Sequence, residues 1–475
     1  MAQTSFPTRR EVLAAGAGTA LAAVPGWSQP AATKPNIVYI MADDLGFADL
    51  SCYGRREYKT PNIDSLAAAG VQFLQAYANS AVCSATRTAL ITGRYQYRLP
   101  IGLEEPLRTG GKYGLPPDHP TLPSLLKKAG YGTTLVGKWH LGGLPDFGPL
   151  NSGYDHFWGF RWGSLDYFTH KYGIASTDTE DLWDDDVKVH QAGYLTDLMG
   201  DRAVKVIDGY AKARQPFLLS LHFNAPHWPW EGPDDEAESR RVTALTDHDG
   251  GSMQTYARMV TRMDFEVGRV LKALDANGIS NNTIVIFTSD NGGERFADTW
   301  PFTGKKTDLL EGGLRIPALV RWPGHVRAGT TTSQVAISMD WMPTILSAAG
   351  GAPDPDFRPD GLNLLPQLTR GAAPVPRTLY WRYHFNQQRA LRDGDMKYLR
   401  IAGNEFLFNV TEDPLERANL KNRQPDVFAR LKMAYEEWNA SMLPERDDIS
   451  SGPLGFADEL ADHIGIVRKR EAAKP

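Results

Sequence analysis

A chain of 475 residues with 42% hydrophobic and 23% charged residues can bury a large core, and its composition is ordinary for a globular protein. A formal net charge of −5 excludes a general nucleic-acid binder, which would carry a basic surface. With only two cysteines, one of them in a chemically suggestive setting, a disulfide framework is excluded as well.

In chain order, Thr8-Arg9-Arg10-Glu11-Val12-Leu13 leads into an apolar Ala/Gly-rich run from Val12 to Val24 and a small-residue stretch at Ala31-Ala32. This predicts a bacterial twin-arginine signal over 1–32, the twin-arginine translocase as a partner, and a periplasmic or secreted protein. The apolar run, about 13 residues, is shorter than the ~20 needed to cross a bilayer, so no stable membrane insertion is expected.

Asn36 to Ala42 is a nearly unbroken β-prone run, as in a strand buried on both faces, and it ends in Asp43-Asp44. Cys83-Ser84-Ala85-Thr86-Arg87-Thr88-Ala89-Leu90-Ile91-Thr92-Gly93 begins a short helix-like run with a cysteine four residues ahead of an arginine. A helix N-terminus carries unpaired N–H groups that suit an oxyanion, and an arginine one turn on adds a planar fork of donors. A buried structural cysteine beside a solvent-facing arginine would explain the same residues.

Leu122, Leu125, Leu126 and Ala129 share a helix face before Gly130. A weaker strand, Thr133 to Val136, leads into Gly137-Lys138-Trp139-His140. The stretch Trp158 to His170, with Trp162, Ser164, Asp166 and Tyr167, suits either a ring-gripping surface or a packed aromatic loop. Phe217 to Phe223 ends in Asn224-Ala225-Pro226-His227, and Thr283 to Thr288 ends in Ser289-Asp290-Asn291-Gly292-Gly293. Between these two runs, Met259 to Leu274 marks a long helix stopped by Asn277-Gly278.

Four strand-like runs are thus followed by polar clusters at their C-terminal ends, where open parallel sheets bind ligands. Asp43, Asp44, Asp290 and Asn291 offer only hard oxygen donors, which suits Ca²⁺ or Mg²⁺ and not zinc. Strands alternating with helices, the last of them from Asp340 to Ala349, predict a doubly wound α/β domain. After a Pro- and Asp-rich stretch the character changes. Thr378 to Tyr383, Gln388 to Arg392, Met396 to Ile401 and Glu405 to Val410 read as short strands, with a hairpin at Asp393-Gly394. A final helix from about Val427 to Met442 and a charged tail, Arg468 to Pro475, complete the chain.

Cys83 to Gly93 resembles the Cys-x-Pro/Ala-x-Arg signature of the type I sulfatases, with Ala85 where most members have Pro. The resemblance runs from about Lys34 to about Leu420 through further motifs in the family's order. It implies an alkaline-phosphatase-like sandwich over 33–370, with a large, mostly parallel central sheet flanked by helices. A C-terminal subdomain over 371–475, with a small antiparallel sheet and a terminal helix, would follow. It also implies that Cys83 is oxidised to formylglycine, by a formylglycine-generating or an anaerobic sulfatase-maturating enzyme. Residue 83 would then hold one divalent cation, Ca²⁺ in preference to Mg²⁺, together with Asp43, Asp44, Asp290 and Asn291.

By the same resemblance Lys138 steadies the nucleophile's hydroxyl, and His140 is the base that collapses the covalent intermediate. His227 protonates the leaving oxygen, Lys306 (with Lys305 as its neighbour) binds the sulfate, and Arg87 offsets its charge. Arg315 braces the structure. The activity implied is hydrolysis of an aryl or carbohydrate sulfate ester. The rivals are a phosphonate or phosphate ester hydrolase of the same fold, and a non-catalytic carbohydrate-binding protein with Cys83 unmodified.

Overall fold

The computed structural model describes residues 34–172, 179–241, 250–452 and 464. The leader read over 1–32 and the charged tail lie outside them. The strands, in chain order, are β1 (Asn36–Ala42), β2 (Val71–Phe73), β3 (Ala76–Tyr77), β4 (Gly132–Lys138), β5 (His156–Phe160), β6 (Trp183–Asp184), β7 (Val187–Lys188), β8 (Phe217–His222), β9 (Thr283–Ser289), β10 (Ala318–Arg321), β11 (Thr330–Thr332), β12 (Ala336–Ile337), β13 (Thr378–Tyr383), β14 (Gln388–Asp393), β15 (Met396–Ile401) and β16 (Asn404–Asn409). Among the described residues no helix is long and apolar enough to cross a membrane.

Ten strands form one mixed, mostly parallel sheet in the order β11-β2-β10-β9-β1-β8-β4-β5-β6-β7. Its centre, β9-β1-β8-β4-β5, is parallel, whereas β10 pairs antiparallel with β9 and β6-β7 make an antiparallel edge. The unbroken apolar reading of β1 has a direct cause. Val38, Ile40 and Ala42 join the core on one face of the sheet. Ile37, Tyr39 and Met41 join the core on the other. The first core is closed by helices Leu195–Ala213 and Met253–Ala276, the second by Leu122–Lys128 and Trp341–Ala348.

Strands β13 to β16 form a separate antiparallel sheet in chain order. Asp393 pairs with Met396, so the hairpin between β14 and β15 turns at Gly394-Asp395. Leu431 and Tyr435 of helix Pro425–Ala440 cover one face. The other face meets helix Cys83–Thr92, whose Ala85 and Ala89 pack among Leu379, Trp381, Ala390 and Leu399. Leu90 and Ile91 of the same helix pack against the large sheet. Wedged between two sheets, all ten of its residues are buried.

A buried charge network also joins the sheets. Lys397 of β15 lies 2.9 Å from both Glu311 and Glu416. Glu311 takes a further bond from Arg315 Nε at 2.7 Å, and Arg315 NH1 reaches Leu74 O. Arg315 is therefore a brace.

Candidate active site

Strand register brings the acidic clusters together. β1 and β9 pair in parallel from Asn36↔Thr283 to Ala42↔Ser289. Just past the paired strands, this puts Asp43 beside Asp290 and Asp44 within hydrogen-bond reach of both Asp290 and Asn291. Glycines close the site from the next loop: a Cβ on Gly292 would lie 2.1 Å from Gly312 O, and one on Gly313 would lie 2.1 Å from Asp308 O. Only a residue without a side chain permits these approaches. They seat the loop of Lys306, whose N–H donates to Gly293 O at 2.9 Å.

Each carboxylate has a close cation, and Asp43 has Arg87 as a second, at 3.9 Å. Lys138 Nζ is 2.5 Å from Asp43 Oδ2, Lys306 Nζ is 2.6 Å from Asp44 Oδ2, and Arg87 NH2 is 2.8 Å from Asp290 Oδ2. All six side chains are buried. Lys306, not Lys305, is the lysine of the cluster. Burial works against the Lys306 charge, but Asp44 and its neighbours more than offset that and raise its pKa. Burial and the neighbouring Asp290 push the Asp43 carboxyl up to about 8, against the pull of Lys138. For Asp290, burial is outweighed by Arg87 and Lys138, which hold it below the usual range.

Two acceptor oxygens in this cluster, Asp43 Oδ1 and Asn291 Oδ1, are buried without a hydrogen-bond partner. Asn291 Nδ2 is spent on Asp44 Oδ1 at 2.7 Å, which turns its oxygen away from that bond. Ligand atoms of Asp43, Cys83 and Asp290 lie within 4.8 Å of one another, as do those of Asp43, Asp44 and His227. Unpaired hard oxygens in a buried, carboxylate-rich cluster fit one Ca²⁺ or Mg²⁺ ion.

Cys83 is the first residue of its helix, after the extended Val82. Burial raises its thiol pKa, with Lys138 and Lys306 pulling the other way. Arg87, one turn on, donates through Nε and NH2 to Asp290 and through NH1 to Lys138 O at 3.1 Å. Its fork is held by the acid and the backbone, which fixes the guanidinium beside Asp290. His222, which sequence reasoning missed, lies behind it: His222 Nδ1 is 3.4 Å from Arg87 NH1. Burial and Arg87 lower the His222 pKa to about 3. A strand-end histidine two residues before Asn224 was the available signal.

The two predicted histidines differ in their free nitrogen. His140 Nε2 donates to Leu107 O at 2.9 Å, and its buried Nδ1 has no partner. His227 Nδ1 donates to Trp228 O at 2.6 Å, and its Nε2 lies 3.6 Å from Asp44 Oδ2. Burial lowers both pKa values well below the usual one, helped at His140 by Lys138 and at His227 by Lys306 and Lys138. Asp44 and His140 adopt positive φ, 65° and 59°. Such left-handed backbone costs about 1–3 kcal/mol per residue and clusters where function demands it.

Cys83, His140 and His227 line one pocket of about 390 Å³, with Gly163, Ser164, Tyr172 and Trp228. The aromatic stretch read as a possible ring grip is mainly core. Trp158 and Tyr167 are buried, and Tyr167 stacks on Tyr194 and donates to His227 O. Asp166 is absorbed by Phe168 N, Thr169 N and Ser239 Oγ. The remaining wall comes from residues 105–109 and 450–452, which the sequence reading did not single out.

Comparison with known proteins adds a family match and three likenesses. Residues 35–352 match the family model described as Sulfatase. The chain is similar to N-acetylgalactosamine-6-sulfatase of Rattus norvegicus, 35% identical over 76% of this chain and 71% of that protein. It is similar to arylsulfatase J of Mus musculus, 30% identical over 87% of this chain and 77% of that protein. Among solved structures it is similar to Ps i-CgsB, with a TM-score of 0.80 and 30% identity, covering 88% of this chain and 95% of that one. That protein has also been solved in complex with k-i-k-neocarrahexaose.

Proposed function

Because the chain belongs to the sulfatase family, whose members are sulfuric ester hydrolases, we propose that it hydrolyses a sulfated saccharide at residue 83, after Cys83 has become formylglycine. The observation that carries this is the closure of three acid–cation pairs around Cys83 at the floor of a pocket lined by two histidines. A saccharide substrate is favoured by the neocarrahexaose bound to Ps i-CgsB and by the relative named N-acetylgalactosamine-6-sulfatase.

Asp43, Asp44, Asp290, Asn291 and residue 83 would hold the divalent cation, Ca²⁺ in preference to Mg²⁺. When bound, it supplies a fixed double positive charge beside the nucleophile. Formylglycine supplies a hydroxyl nucleophile that a buried thiol with a raised pKa does not. Lys138 and Lys306 already hold their ammonium groups in the cluster, so they oppose charge on the sulfate oxygens without reorganising. His227, fixed through Nδ1, turns Nε2 to the leaving oxygen. His140, fixed through Nε2, leaves Nδ1 to accept the proton that ends the cycle. Maturation would need a formylglycine-generating or anaerobic sulfatase-maturating enzyme, and the twin-arginine motif would take the protein to the periplasm or beyond.

The test is sulfate release from a panel of sulfated saccharides and aryl sulfates, run beside phosphate and phosphonate esters. Faster turnover of the phosphorus esters would favour the rival hydrolase. Saccharide binding without turnover, by protein co-produced with a maturating enzyme and still carrying an intact Cys83 thiol, would favour the carbohydrate-binding rival.

A further inference from the structure

The pocket wall formed by residues 105–109 and 450–452 is tightly built. Glu105 N donates to Ser450 O at 2.7 Å, Ser451 Oγ to Glu105 Oε2 at 3.0 Å, and Tyr383 OH to Gly452 O at 3.0 Å. Within it, Leu107 is bolted to the reaction centre. Its N–H donates to Oγ of Ser84, the residue after Cys83, at 2.8 Å, and its carbonyl accepts from His140. Arg108 follows directly, so its backbone position is registered to both residue 83 and the base. Its side chain is aimed by a third bond, from Nε to Ser450 Oγ at 2.7 Å.

Among the described residues the charges of this wall leave Arg108 unanswered. Glu104 is paired with Arg446 at 2.8 Å, and Asp448 with Lys112 and Arg446. Glu105 accepts from His384 N and Ser451 Oγ, and burial holds its carboxyl up at about 8, largely uncharged at neutral pH. Arg108 forms no ion pair among the described residues, and of those lining the pocket it alone carries a fixed positive charge.

We propose that Arg108 is a specificity-determining residue that binds a second anionic group, sulfate or carboxylate, on the saccharide whose scissile sulfate lies at residue 83. The proposal rests on the sulfate-ester reading above. A guanidinium fork held by one N–H still presents paired donors, the geometry that matches either anion. Trp228 and Tyr172 line the same pocket as Arg108 and residue 83, so the sugar would lie against aromatic side chains. The spacing of the anions is set by the Ser84–Leu107–His140 clamp, so the enzyme selects for position as well as charge.

The test compares kcat/KM of the calcium-loaded, matured enzyme and its R108Q and R108K variants on three esters. These are a monosulfated disaccharide, a disulfated disaccharide, and a monosulfated disaccharide with a uronate. The preference of the wild type for a dianionic over the monosulfated sugar should fall about 10- to 100-fold in R108Q, the scale of one lost charge-assisted bond. R108K should recover part of it. The arm that shows the fall distinguishes sulfate from carboxylate. Binding of the same sugars to C83A, with and without R108Q, should show the same loss in Kd and does not depend on turnover. An equal loss on all three sugars, or an unchanged preference in both kinetics and binding, overturns the proposal. If the wild type hydrolysed no sulfate ester while C83A showed the Arg108-dependent binding, the hydrolase reading would fail and the anion site would stand.

Discussion

The three ion pairs of the site predict how the protein responds to losing its metal. Lys138, Lys306 and Arg87 lie against Asp43, Asp44 and Asp290, so the protein groups alone leave no excess of negative charge in the cluster. Chelation should therefore abolish turnover but leave the chain folded. The stability lost is the binding free energy alone, about 2.7 kcal/mol when free ion exceeds its dissociation constant about a hundredfold. K138M is the informative perturbation. It leaves Asp43, fully buried, without its 2.5 Å partner and with only Arg87 at 3.9 Å, and breaking such a pair costs up to about 3–5 kcal/mol. Excess calcium should recover much of this, because the cation takes over the missing charge. Urea denaturation of wild type and K138M, each with calcium and with chelator, reads the four stabilities. If chelated wild type lost as much stability as chelated K138M, or if calcium stabilised K138M no more than wild type, the charge-balance reasoning would be wrong.

Peptide mass spectrometry of active enzyme should find an aldehyde or its hydrate at position 83, and C83A should be folded and inactive; full activity with an intact thiol would refute the assignment. H227A should slow esters of poor leaving groups more than aryl sulfates, whereas H140A should slow both and leave a sulfo group on the peptide carrying residue 83. Matching losses with no such adduct would remove the division of labour. Glu231, 1% exposed, has its carboxyl pushed up from 4.5 to about 9 by burial and by Asp166. The folded state then keeps a proton that the unfolded chain releases, so its contribution is full below pH 4.5 and is lost as pH rises through about 9. E231Q should flatten that decline and be more stable than wild type near pH 8 by up to about 5 kcal/mol, the linkage loss between pH 4.5 and 8; an unchanged pH profile in denaturation would show that Glu231 does not hold the proton.

Local pattern was enough for the central strands. β1, β8 and β9 are buried on both faces, so each reads as an unbroken apolar run whatever its neighbours are. The four C-terminal strands were legible because period-two alternation and a Gly turn are local signals. Asp43-Asp44, Lys138-x-His140 and His227 could be placed at strand ends for the same reason, and Cys83 at a helix start. Short strands such as β2, β10 and β11 escaped notice, because three or four residues carry too little periodicity. Helix Leu195–Ala213 was missed as well, although it is long enough for its amphipathic period to show.

Tertiary structure alone decided who meets whom. Strand register set Asp43 against Asp290, and the backbone approach at Gly292 and Gly313 seated Lys306. Packing between two sheets turned the Arg87 fork onto Asp290, a pairing 203 residues apart in sequence. The wall of Glu105, Arg108 and Ser450 joins segments 342 residues apart. No local pattern encodes such contacts, because each depends on where two distant backbones come to lie after the core has closed.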